Sequence, residues 1–128
     1  MTIPLGVSVH WGEPADGNGT SLVVVLDGEL DIATAPLLAG HFDDLLAEGA
    51  SEIVVDVGPL AFADVAGLRV LTALRARAAR GPVTVRLSGA SPLLRRMMRI
   101  ISPSWDLSAG GQRAVAAAPR PPDFEWLA

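Results

Sequence analysis

Three short apolar runs rich in β-branched residues, Leu22-Val23-Val24-Val25-Leu26, Ile53-Val54-Val55-Asp56-Val57 and Pro82-Val83-Thr84-Val85-Arg86-Leu87, alternate with segments whose apolar residues return at helical spacing. Runs of this kind read as strands, and the first, bounded by polar and glycine residues, reads as a central strand buried on both faces. Between the first two, residues 35–48 place Leu37, Leu38, His41, Phe42, Leu45 and Leu46 along one amphipathic helix ending near Gly49. Thr34 stands at its N-cap and Pro36 in its first turn. From Ala66 to Arg80, the residues Gly67, Val70, Leu71, Leu74 and Ala78 form one helix face, opposite Arg69, Ala73, Ala76 and Arg80. Asp64 sits where the N-cap of that helix belongs, at the end of a loop expected over Gly58 to Asp64 after the second strand. A turn is expected over Asp27 to Ala33 after the first strand. Ser91-Pro92 opens a further helix through Ile101, and Pro103 marks its end.

This alternation predicts an α/β fold: a mixed β-sheet with helices packed against it, in a single two-layer domain. The alternating stretch Gly6 to Trp11 adds an edge strand, followed by the turn-rich segment Gly12 to Gly19. A chain of 128 residues falls in the single-domain range. The folded domain is expected over residues 1–108. After Gly110-Gly111, an alanine-rich stretch and Pro119-Arg120-Pro121-Pro122 predict a short helix and an extended tail over 109–128, with Trp126 as its candidate anchor.

The hydrophobic content is 50%, yet no apolar run approaches the ~18 residues that span a bilayer. Met1 to Val9 lack the basic start and long apolar stretch of a signal peptide. There is no cysteine, hence no disulfide framework, no thiolate metal site and no cysteine nucleophile. These features predict a cytoplasmic protein. A net charge of −4 argues against phosphate-driven binding of nucleic acid. Every basic side chain is arginine, which with the abundant alanine reflects a GC-rich coding sequence and carries no functional weight.

Chemistry finds little purchase. Glu29, Asp31, Asp56 and Asp64 are the acids that turns following strands could gather for metal binding or acid–base work. Turn, strand-end and helix-cap roles account for them more simply. His10 and His41 lie in no zinc-binding pattern, and His41 fits as a residue packed on its helix. No Gly-x-Ser-x-Gly elbow, Gly-Lys-Ser/Thr loop or Gly-x-Gly-x-x-Gly turn is present. Arg95, Arg96 and Arg99 could hold an anionic group, but beside Leu94, Met97, Met98 and Ile101 they read as the solvated face of an amphipathic helix. The expectation is a non-enzyme with no catalytic residue, cofactor or metal.

Three segments in order, Gly28-Glu29-Leu30-Asp31-Ile32-Ala33-Thr34-Ala35, then Ile53-Val54-Val55-Asp56-Val57, then Leu60-Ala61-Phe62-Ala63-Asp64-Val65-Ala66-Gly67-Leu68, resemble the STAS family of anti-sigma factor antagonists. The resemblance covers roughly residues 5–108. It implies the STAS fold and a protein-binding role, with a surface comprising Asp31, Phe62, Asp64, Val65, Ala66, Gly67 and Arg69. Members of the family carry Asp-Ser-Ser/Ala-Gly at the last of these turns, and a partner kinase, often itself the anti-sigma factor, phosphorylates the first serine. This chain has Asp64-Val65-Ala66-Gly67. Valine offers no hydroxyl, so phosphoryl transfer to position 65 is chemically excluded, and Thr72, about two helical turns further on, does not replace it. The implied role is partner switching in transcription regulation without the usual phosphorylation, the partner being an anti-sigma factor resembling a serine kinase. Two alternatives stay open: an accessory STAS subunit of a lipid-trafficking ABC-type transporter, meeting its permease or ATPase, and a small nucleotide-binding domain. Fold alone does not choose among them.

Overall fold

The computed structural model describes residues 4–14, 17, 19–105 and the main chain of 124–127. Along these residues the chain forms β1 (Gly6–Gly12), β2 (Ser21–Leu30), α1 (Ala35–Ala39), α2 (Phe42–Ala47), β3 (Glu52–Asp56), β4 (Leu60–Ala63), α3 (Val65–Ala78), β5 (Thr84–Ser88), α4 (Pro92–Ile101) and β6 (Phe124–Leu127). The main sheet runs β5-β3-β2-β1-β6, and β4 pairs with β2 off this path. β2, β3 and β5 are mutually parallel, while β1 lies antiparallel to both β2 and β6. The predicted mixed α/β sheet is therefore present, with β2 at its centre.

Alternation along the strands builds the core. Val7 and Val9, Leu22, Val24 and Leu26, Ile53 and Val55, and Val85 and Leu87 project to one face, as the two-residue period of a strand requires. On that face they meet Leu38, Phe42 and Leu45 from α1 and α2, Leu68, Leu71 and Leu74 from α3, and Leu94 and Met98 from α4. The opposite face holds only a small cluster, Val23 and Val54 with Val25 against them. It also carries Arg86, whose Nε lies 2.9 Å from the Glu52 carboxylate.

Four features depart from the sequence reading. β2 is ten residues long and runs through Asp27-Gly28-Glu29-Leu30, expected as a turn. Gly28, at φ 85°, makes this possible: the left-handed conformation is open to glycine at little cost, and it introduces a bulge. β2 pairs with β3 as far as Val25 and with β4 from Gly28 on, Gly28 opposite Leu60 and, past the bulge, Glu29 opposite Phe62 and Leu30 opposite Ala63. β4 itself was read as loop, because four residues with only half-buried or exposed side chains carry no strand signal. The single helix expected over 35–48 is two. The His41 N–H reaches only back to the Leu38 carbonyl, at 3.0 Å, before the pattern resumes with Leu45 on His41 at 2.9 Å. Leu38, Phe42 and Leu45 stay on the buried side across the break, which is why the periodicity looked continuous. Finally, β1 was read as an edge strand, but β6 pairs along its outer side, Trp126 in register with Val7. The short helix and extended segment expected before β6 lie outside the described residues.

Candidate partner-binding surface

The end of β2, the end of β4 and the start of α3 are tied together by the main chain. The Asp64 N–H donates to the Leu30 carbonyl at 3.1 Å, and the Leu68 N–H to the Asp64 carbonyl at 2.9 Å. Asp64 is extended, and its Oδ1 accepts from the Gly67 N–H at 2.8 Å, which satisfies one of the orphan donors of the first turn. The predicted cap is thus in place. It aims the side chain of Val65 outward, with 41% of its surface exposed.

A second local network fixes the turn beside it. Asp31 Oδ1 accepts from the N–H groups of Ala33, at 2.9 Å, and Thr34, at 3.0 Å. Thr34 Oγ1 donates to the Glu29 carbonyl at 2.8 Å and accepts from the Asp31 N–H at 2.9 Å. Thr34 occupies the N-cap position of α1, as predicted, but its hydroxyl serves this turn and caps nothing in the helix. With both oxygens of the motif engaged by local backbone, the turn presents Ile32, 75% exposed, at its tip. Ile32 and Val65 each lie two residues beyond the paired couple Leu30–Ala63, so they emerge from the same end of the β2–β4 pair. Phe62, 51% exposed, lies one residue before that couple.

The residues expected on this surface therefore divide. Phe62, Val65 and Arg69 are exposed, Ala66 is half-buried, and Asp31 and Asp64 are half-buried with their carboxylates spent on turn and cap. Gly67 does not belong to the surface. It is buried, and a Cβ built there would stand 2.7 Å from the carbonyl carbon of Leu30. Its role is to let α3 approach the backbone of β2, so a large side chain at 67 would break the fold and is no probe of binding. Ile32 was missed, although a large apolar residue inside a polar turn was a legible signal. Among the described residues no group of three or more His, Asp or Glu side chains is placed to hold a metal ion, since Asp31, Asp56 and Asp64 each bond to the backbone of their own turn. No helix among them is long and apolar enough to cross a membrane.

Residues 15–102 match the family model described as "Mlab, STAS domain". No curated protein matches the chain. Among solved structures, an anti-sigma factor antagonist from Mycobacterium paratuberculosis superposes with a TM-score of 0.67 at 23% identity, over 88% of this chain and 92% of that one. The phosphorylated form of SpoIIAA, a Bacillus cell fate determinant, gives 0.55 at 22% identity, over 75% of this chain and 88% of that one. The murine anion transporter Slc26a9 gives 0.53 at 13% identity, over 71% of this chain but only 17% of the transporter. At such identities the likeness is one of fold. With a family match over well more than half of its length and that fold around it, the chain belongs to the STAS domain family.

Proposed function

We propose that this chain is a non-catalytic protein-binding module that works in the manner of an anti-sigma factor antagonist. The observation that carries the reading is the outward-facing Val65 on the first turn of a side-chain-capped helix, beside exposed Ile32 and Phe62. The surface comprises the end of β2 with the turn that follows it (27–33), the segment 58–64 and the helix start 65–69. It meets an anti-sigma factor resembling a serine kinase, and Arg69 stands at its rim. In charge, Val65 resembles an unmodified acceptor. A phosphate there would add about −1.5 to −2 charges, which a helix N-terminus tolerates and an apolar or acidic partner surface does not. The module is therefore held in its binding-competent state, and its regulation lies elsewhere than at position 65.

Calorimetric titration of a candidate kinase-like partner tests this. Val65→Asp should weaken binding by ~100-fold, or about 2.7 kcal/mol, while the fold survives; unchanged affinity sinks the assignment. Val65→Ser should restore an acceptor hydroxyl, read as phosphate incorporation when the partner and ATP are supplied.

A second reading is supported by the presence of this fold within an anion transporter and by the description of the matching family model. In it the same surface docks on the permease or ATPase subunit of a lipid-trafficking transporter. Co-expression with each kind of candidate separates the two readings, because only one complex should persist through gel filtration and be lost in Val65→Asp.

A further inference from the structure

The arginines of α4, read from sequence as a solvated face, stand beside apolar side chains that the core does not use. Leu94 and Met98 are buried, whereas Leu93 is 64% and Ile100 75% exposed. Leu93, Met97 and Ile100 fall at i, i+4 and i+7, so they line up as one ridge along the helix. On the β4 side of that ridge is an apolar cleft of about 180 Å³, walled by Leu60, Phe62, Ala63, Leu93, Leu94 and Met97. On its other side run Arg96 and Arg99, both exposed and neither paired with a carboxylate among the described residues. α4 contains no acidic residue, although the chain as a whole carries −4.

We infer that the α4 ridge and its cleft form a second docking surface, built for an amphipathic helix of a partner protein that carries acidic side chains along one flank. The cleft is smaller than the roughly 300–1,000 Å³ of small-molecule sites, so it fits a side-chain anchor. A ridge repeating at i, i+4 and i+7 matches the apolar stripe of a second helix, the arrangement of helix-in-groove recognition. Arg96 and Arg99 lie on one side only, so a helix laid along the ridge would present carboxylates on its outer flank and a large apolar residue to the cleft. Arg99 also stands in the last turn of α4, where a cation complements the helix dipole. Arg96, a turn earlier, has no such local reason for its place. An anionic bilayer would meet the arginines but leave the concave cleft unfilled, which favours a protein helix. The surface shares Phe62 with the one proposed above and otherwise does not depend on it.

The probe is a synthetic peptide of about 18 residues, long enough to form a helix alone, with leucines at i, i+4 and i+7 and glutamates along one flank. Titrated into the isotopically labelled full chain, it should shift amide resonances of Phe62, Leu93, Met97 and Ile100. Leu93→Glu and the double variant Arg96→Glu, Arg99→Glu should each weaken it at least about tenfold, with the unfolding midpoint unchanged for Leu93→Glu, whose side chain is exposed, and lowered in the double variant only by the lost dipole interaction of Arg99. Absence of binding, shifts confined to other elements, or equal affinity for the same peptide with lysines in place of glutamates overturns the proposal. So does arginine-dependent sedimentation with phosphatidylcholine–phosphatidylglycerol vesicles in the absence of peptide binding. Ile100→Glu should lose the peptide yet keep the kinase-like partner, and Val65→Asp the reverse; this double dissociation distinguishes failure of one surface from failure of the other.

Discussion

The starts of α3 and α4 use one device for two ends. Each is opened by a side chain that accepts from the N–H three residues on: Asp64 from Gly67 at 2.8 Å, Ser91 from Leu94 at 3.2 Å. The third helical residue then differs. In α3 it is a glycine pressed onto the backbone of Leu30; in α4 it is a leucine that helps wall a cleft. α3 goes on to bury Leu68, Leu71, Leu74 and Ala78, and beyond Val65 at its start its exposed face is polar or small. α4 buries only Leu94 and Met98 and leaves Leu93 and Ile100 in solvent. Past Val65, large apolar side chains are spent on structure in α3, whereas along α4 some are left over. A cap fixes where a helix begins, and the positions after it decide whether the helix is scaffold or surface.

The largest expected effect falls on position 67. Gly67→Val should cost about 3 kcal/mol or more, because backbone has to move to admit the side chain; a urea midpoint near that of the parent would mean that α3 does not need its close approach to β2. Next is the contrast between cores. Leu71→Ala should cost ~2–5 kcal/mol and Leu93→Ala no more than about 0.5 kcal/mol, and comparable losses would show that Leu93 is packed after all. The caps come third. Asp64→Ala should cost about 1 kcal/mol, up to ~2, and Ser91→Ala less, since the carboxylate makes the shorter, charge-assisted bond. A reversed order in chemical denaturation would remove the distinction. Val65→Asp should change stability by no more than about 1 kcal/mol, because an added carboxylate suits a helix N-terminus while standing beside Asp64.

The smallest effect concerns a third helix start, α2, where His41 occupies the N-cap position without a side-chain cap bond. Burial lowers the pKa of His41 from 6.5, opposed by the nearby charge of Asp44. With the folded value below the unfolded one, the unfolded chain binds the extra proton first. The stability held by neutral His41 is thus complete above the unfolded pKa and is lost as the pH falls through 6.5 toward the folded value. Thermal midpoints between about pH 7.5 and about pH 5.5 should fall slightly more for the parent than for His41→Gln. Equal slopes would place the pH dependence in other groups.

Much of this was legible beforehand because it is local. Short β-branched apolar runs marked β2, β3 and β5, alternation marked β1, helical spacing marked the buried faces of α3 and α4, and capping chemistry marked Asp64 and Ser91. β4 was not legible. Its pairing comes from the length β2 gains past Gly28, a property of the partner strand. The split between α1 and α2 escaped for a related reason, since buried residues keep their spacing across a break that only main-chain hydrogen bonds reveal. In the candidate surface, Val65 and Phe62 were read from motif order, whereas Gly67 was misplaced because a glycine that contacts a partner and a glycine that admits a neighbouring backbone look alike in one dimension.

By itself, then, the sequence determined the class of fold, the capped start of α3 and the absence of a hydroxyl at Val65, all consequences of side-chain chemistry acting over a few residues. Tertiary structure alone decided that Gly67 faces Leu30, that Ile32 and Val65 emerge together, and that Leu93 and Ile100 stay in solvent beside Arg96 and Arg99. Those facts depend on which faces the sheet has room to cover, and a helix pattern cannot say which of its apolar residues will find that cover taken.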